Sequence, residues 1–255
     1  MSWFGKITGG TIGFMIGGPL GAMAGAALGH TLIDAETSTN QPRISSREEQ
    51  EMIFFVTIFT LVGKMAKADG KITKEEIDFI EHFIKHQLKL EPKQREYAIS
   101  IVRAAKDDNT PILDYLKQFV QVFPQADMHF MLYEVLFTVA MADGHIHPDE
   151  EAILRKISPY LKVQRNVFEA MEARFRQGRS GQSSASELAN HYQILECTPE
   201  MTDIEIKKVY RKKCREFHPD TLASRGLSEE FMDFANKEIV KINEAYEAIK
   251  KSRAK

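Results

Sequence analysis

The chain has 255 residues, a formal net charge of −2 and two cysteines. That length has room for two domains and a small extra module, and near-neutrality excludes bulk nucleic-acid binding, leaving only local basic patches. Cys197 and Cys214 stand in no CxxC pair, which excludes a zinc cluster or disulfide framework and fits a reducing compartment. Cys214 falls on a helical apolar stripe and reads as a buried small hydrophobe.

The first predicted element is glycine-rich. From Ile7 to Ile33 there is no charged side chain, and Gly9, Gly13, Gly17, Gly21, Gly25 and Gly29 recur every fourth residue. In water each interior glycine costs a helix about 1 kcal/mol relative to alanine, and a proline such as Pro19 about 3. In lipid the backbone must bond to itself, so that penalty largely disappears. About 20 apolar residues cross a bilayer, and residues 1–36 read as a transmembrane segment kinked at Pro19. A signal peptide ending near Ala24-Gly25-Ala26 and a self-associating soluble segment are the other readings. A step of four residues winds slowly around a 3.6-residue helix, so the six glycines form a groove that predicts close association with a second copy, a homodimer. Lys6 lies on one flank and Arg43 and Arg47 on the other, which leaves the orientation open.

Residues 37–46, TSTNQPRISS, read as a linker. From 47 to 177 the period is helical. Phe54, Phe55, Ile58, Phe59, Val62 and Met65 form one apolar face, and Phe79, Ile80, Phe83 and Ile84 another. Thr110-Pro111 opens a further helix, with proline at its first position. Leu61–Ile80 and Val135–Leu154 share the pattern A-x-A-D-G-x-I-x-x-x-E, which matches Asp69 and Glu76 to Asp143 and Glu150. Gly70 and Gly144 suit the positive φ that ends a helix. Thr73 with Glu76 forms a capping box, Pro148 and Glu150 suit a first turn, and Ile72 and Ile146 plug the turns. The functional alternative is a divalent-metal site on Asp69, Glu76, Asp143 and Glu150, with His145, His147 and Asp149 nearby. The D-x-D-x-D-G ligand ladder is missing, so structural turns are the preferred reading and no metal or cofactor is expected. His82 and His86 stand one turn apart without an H-E-x-x-H and read as surface residues. This duplicated helix–ADG–helix pattern resembles the TerB-like, tellurite-resistance-associated domain. The resemblance implies a compact helical bundle with an interaction or sensing role and no catalysis.

Residues 178–186, GRSGQSSAS, read as a flexible linker. Thr202 and Glu205 then open a helix with a capping box. Ile206, Val209, Tyr210, Cys214 and Phe217 give its buried stripe, and Lys207, Lys208, Arg211, Lys212 and Lys213 cover the rest. Pro219 stops it, because proline disfavours helical geometry at His218. A second long helix runs from about Ser228 to Ser252, so a loop bearing His218-Pro219-Asp220 joins two antiparallel amphipathic helices. Tyr192 and Leu195 in a short first helix, the basic helix, the HPD tripeptide and INEAYE over Ile242–Glu247 resemble the J domain of DnaJ-type co-chaperones. The departure is Glu196-Cys197, where that family usually has glycine and an aliphatic residue. The resemblance implies that His218, Pro219 and Asp220 signal to a DnaK-type chaperone and that Lys207, Lys208, Arg211 and Lys212 dock on its acidic face. No nucleophile or metal motif accompanies the histidine and aspartate, so the chain is not expected to be an enzyme. No stacking aromatics interleave with the basic residues, so nucleic acid is not expected as a partner.

In order, a glycine-rich transmembrane helix (1–36), a TerB-like helical bundle (47–177) and a C-terminal J-domain hairpin (187–255) make an all-α chain that resembles the DjlA family of membrane-anchored DnaJ-like proteins. That resemblance implies a single-pass co-chaperone of the bacterial inner membrane with its C-terminal bulk in the cytoplasm. The alternative is a membrane stress- or metal-sensing signalling scaffold with the J domain as effector arm.

Overall fold

The computed structural model describes residues 17–29, 46–67, 78, 80–141, 145–163, 167–169, 171–172, 184–227 and 229–254. Every regular element among them is helical.

Helix α1, Gly18–Gly29, has 12 residues. At 1.5 Å per residue it is about 18 Å long, and among the described residues no helix is long and apolar enough to cross a membrane. Helix α1 lies on the bundle, with Leu20, Met23, Ala24 and Ala27 buried and Ala22 and Ala26 exposed. Backbone recognition fixes it there. Gln118 accepts from the Leu20 N–H at 2.9 Å and donates to the Gly17 carbonyl at 2.5 Å, and the Tyr97 hydroxyl donates to the Ala24 carbonyl at 3.2 Å. Pro19 sits in the first turn of α1, where no backbone bond is lost, and not at a kink within it. Of the glycine ladder, Gly17 is exposed, Gly21 buried and Gly25 half-buried, while Gly29 closes α1; Gly9 and Gly13 lie outside the described residues.

Helix α2, Ser46–Ala66, is buried at every position from Glu51 to Gly63. The expected single face is therefore too narrow. A helix that is apolar all round needs cover on all sides, and here α1, α3 (Pro92–Asp107), α4 (Ile112–Val122), α5 (Ala126–Ala140) and α6 (Pro148–Ile157) supply much of it. Gly63 permits the closest approach: a Cβ there would stand 2.6 Å from the Val102 carbonyl of α3. A π-helical turn, Phe83–Gln87, precedes α3, and Ile80, Phe83 and Ile84 are buried as expected, while Phe79 lies outside the described residues. Pro111 proves to be the cap before α4, one residue ahead of the expected place. Asp108, between α3 and α4, receives the Lys64 ammonium at 2.6 Å and the hydroxyls of Tyr115 and Thr110 at 2.9 Å each, tying the end of α2 to that turn.

In the second copy of the repeat, Pro148 opens α6 and the His147 N–H donates to the Glu150 carboxylate at 3.1 Å. Ile146 is partly buried against the core. Glu150 thus serves as a helix cap. Asp69, Glu76 and Asp143, with Gly70, Ile72, Thr73 and Gly144, lie outside the described residues. Among the described residues no group of three or more His, Cys, Asp or Glu side chains is placed to hold a metal ion.

The C-terminal module comprises α7 (Ser184–Ile194), α8 (Asp203–Glu216), α9 (Pro219–Ser224) and α10 (Glu229–Arg253). Helix α7 begins inside the stretch read as linker. The module does not stand apart from the bundle: Phe231 of α10 is fully buried against Phe54 and Phe55 of α2.

Candidate functional site

Helix α8 starts as its sequence dictates. The Thr202 hydroxyl accepts from the Glu205 N–H at 3.3 Å, and the Glu205 carboxylate accepts from the Thr202 N–H at 2.8 Å. Opposite runs α10. The rings of Tyr210 and Tyr246 stack with centroids 4.0 Å apart, and the Tyr210 hydroxyl donates to Asn243 at 3.1 Å. Arg253 fastens the free end of α10, reaching Asp203 at 2.6 Å and the carbonyls of Pro199 and Met201 at 2.7 and 2.8 Å. Cys214 is half-buried with its thiol directed at Asn243, and Cys197 is buried, its thiol pushed up to about 11 by that burial.

The four basic residues singled out on α8, Lys207, Lys208, Arg211 and Lys212, are all exposed. Ile204 lies at the start of the same helix and is 81% exposed, so the cationic face carries an apolar point. Lys213 departs from expectation. Its side chain is buried, pairs with Glu196 at 2.6 Å and places its ammonium 5.1 Å over the ring of Phe130 on α5. A lysine stem accepts such a position when its charge is matched. Glu196 adopts φ 55, the left-handed region that favours glycine. The unusual Glu196 is thus the counter-ion of a lysine that sequence reasoning placed at the surface. The only available signal was the acidic residue itself where the related family has glycine.

The HPD tripeptide is not a loop. Helix α8 ends at Glu216, His218 takes an extended backbone before the proline, and Pro219 begins α9. Proline at a first helical position has its φ already set and no bond to lose. The Asp220 N–H points at the His218 ring nitrogen Nδ1 at 3.3 Å, so the histidine caps the short helix. Both side chains face outward, His218 about half exposed and Asp220 94% exposed. The site therefore brings an imidazole and a carboxylate together on a stiff corner at the end of a cationic helix. Complementary charge on a partner is steered by such a face, and a preorganised corner loses little entropy on docking.

A basic helix, an HPD corner and a returning helix define a J-domain protein, here joined to a second helical bundle. Residues 190–255 match the DnaJ domain family, 56–173 match the tellurite resistance protein TerB family, and 1–41 match the transmembrane domain of the co-chaperone DjlA. The chain is similar to the co-chaperone protein DjlA of Photobacterium profundum, 31% identical over 98% of this chain and 99% of the relative. It is 32% identical to that of Coxiella burnetii over 100% and 99%, and 29% identical to that of Escherichia coli K12 over 99% of each. The chain therefore belongs to the DjlA co-chaperone family, whose transmembrane domain associates it with a bacterial membrane. No solved structure gives a significant match.

Proposed function

We propose that this chain stimulates ATP hydrolysis by a DnaK-type chaperone. His218, Pro219 and Asp220 deliver the signal, and Lys207, Lys208, Arg211 and Lys212 dock on an acidic face of the partner. The observation that carries the reading is the outward presentation of His218 and Asp220 at the end of an exposed cationic face. Bond-making and ATP cleavage belong to the partner; the chain supplies orientation and charge. The TerB-like bundle serves client, regulator or self-interaction. The N-terminal segment anchors the chain in the inner membrane with the J domain on the cytoplasmic side, where a DnaK-type ATPase works; in that state residues 18–29 leave the bundle face on which α1 lies here, and the glycine ladder, with Gly21 released from burial, favours a homodimer.

Single-turnover ATP hydrolysis by a DnaK-type protein tests this. The full chain accelerates it, His218→Gln abolishes the acceleration with helicity unchanged, and salt weakens docking by screening the basic face. Full stimulation by His218→Gln overturns the reading. For orientation, Cys197 is a poor reporter because it is buried. A cysteine introduced at Gly181 should resist a membrane-impermeant thiol reagent in intact spheroplasts and react after lysis; labelling before lysis would reverse the assignment.

A further inference from the structure

The HPD corner is gripped by the TerB-like bundle at both of its ends. On the near side Phe217, the residue before His218, is buried and meets Phe130 of α5 edge-on, with centroids 5.6 Å apart at 86°. The same Phe130 ring lies under the Lys213 ammonium. On the far side Arg225, the residue that ends α9, forms an ion pair with Asp127, whose side chain is only 6% exposed at the start of α5. Gly226 follows at φ 85, so close to α2 that a Cβ there would stand 2.5 Å from the Cβ of Gln50. Between these two grips the polar groups of His218 and Asp220 face outward.

Helix α9 has six residues, far fewer than the roughly 12–15 that hold a helix together in water. Its direction is therefore set by what its ends are fastened to. We propose that Asp127 and Phe130 of the TerB-like bundle are positioning residues for the HPD corner: they hold the angle between α8 and α9, so the bundle takes part in stimulating the partner ATPase without touching it. This rests on the function proposed above and assigns part of it to a domain outside the J domain. Asp127 acts on Arg225 at the end of α9, and Phe130 acts on Phe217 and Lys213 at the end of α8. Neither belongs to the exposed docking face, so their loss leaves the encounter intact and blurs the geometry that follows it.

The test uses the full chain with a DnaK-type ATPase under single turnover. Phe130→Ala and Asp127→Asn should lower the maximal stimulation several-fold while the half-saturating concentration, set by the basic face, moves less than twofold. Phe130→Tyr should restore it. Gly63→Ala, which strains the bundle far from this interface, should leave maximal stimulation unchanged at a temperature where it is folded. Amide exchange over 217–226 should quicken in Phe130→Ala and Asp127→Asn while that of 239–250 holds, which separates a loosened corner from an unfolded domain. Wild-type maximal stimulation in both variants, or increased stimulation as a released obstruction would give, overturns the proposal. If the unaltered chain gives no stimulation that His218→Gln removes, the functional reading falls and takes this assignment with it.

Discussion

Phe231 of α10 stands edge-on to Phe54 of α2, ring centroids 5.2 Å apart at 80°, and Phe54 in turn meets Phe119 and Phe123 at 6.0 Å each. One side chain of the J domain thus belongs to the aromatic centre of the TerB-like bundle. Edge-to-face pairs add about 0.5–1.5 kcal/mol each beyond the area they bury. Phe231→Ala should cost about 3–5 kcal/mol and uncouple the two domains. Calorimetry should show one joint transition in the wild type and two separate ones in the variant. Two transitions in both proteins would mean that the contact does not couple them.

Glu196 and Lys213 make a second prediction. The left-handed backbone of Glu196 costs roughly 1–2 kcal/mol, which Glu196→Gly would relieve. The same change orphans Lys213, and removing one partner of a buried pair costs about 3–5 kcal/mol, somewhat less here because Glu196 is 22% exposed. Glu196→Gly should therefore lower stability by about 1–3 kcal/mol, the difference of those two effects after that discount. Adding Lys213→Met, which keeps the packing on Phe130, should recover it. Urea midpoints in a double-mutant cycle measure this; a Glu196→Gly protein more stable than wild type contradicts it.

Asp108 sets an acid limit. Burial pushes its carboxyl up, but hydrogen bonds from Lys64, Tyr115 and Thr110 outweigh that and hold it below 3.8. A carboxyl depressed in the folded state contributes stability that is complete above its unfolded value and is lost as pH falls through the folded one. Urea midpoints of wild type and Asp108→Asn should therefore differ most at neutral pH and converge below about pH 4. The Tyr115 hydroxyl, pushed up to about 12 chiefly by burial, remains a donor throughout. A constant gap down to pH 2 would remove Asp108 from the acid limb.

Gly17 separates association from folding. A Cβ built there meets nothing within 4 Å, so a side chain at position 17 starts into open space while α1 is docked. If the glycine ladder is a helix-to-helix contact in lipid, crosslinking between copies should fall in Gly17→Leu and persist in Met15→Leu, with membrane insertion intact in both. Equal crosslinking would assign the ladder no contact role.

The elements of the J domain were legible because their signals are local: the Thr202–Glu205 capping box, Pro219, and an apolar stripe through Ile206. Even the short helix α9 was readable in principle, since a proline that stops one helix is also well suited to start another. What the sequence hid is long-range. The burial of α2 on all sides depends on α1 near one end of the chain and Phe231 near the other, and neither partner is announced by the period of α2 itself. Lys213 was misplaced because a lysine at a helical surface position gives no sign of an aromatic ring and a carboxylate arriving from elsewhere in the chain. Gln118 and Tyr97 hold α1 through its backbone, a form of recognition that leaves no pattern in the segment recognised.

Because α2 is clasped from both directions, the order of segments along this chain is more than a string of interchangeable beads. Cutting at the 178–186 stretch would bare the flank of Phe54 and Phe55 to water and leave Asp127 without Arg225. A J domain borrowed from another protein would bring its own HPD tripeptide, yet without an arginine at position 225 and a phenylalanine at 231 it would be tethered to this bundle and not seated on it. Chimeras built by swapping whole J domains would thus vary the seating as well as the tripeptide, and a weak chimera would report a lost socket as readily as a poor signal.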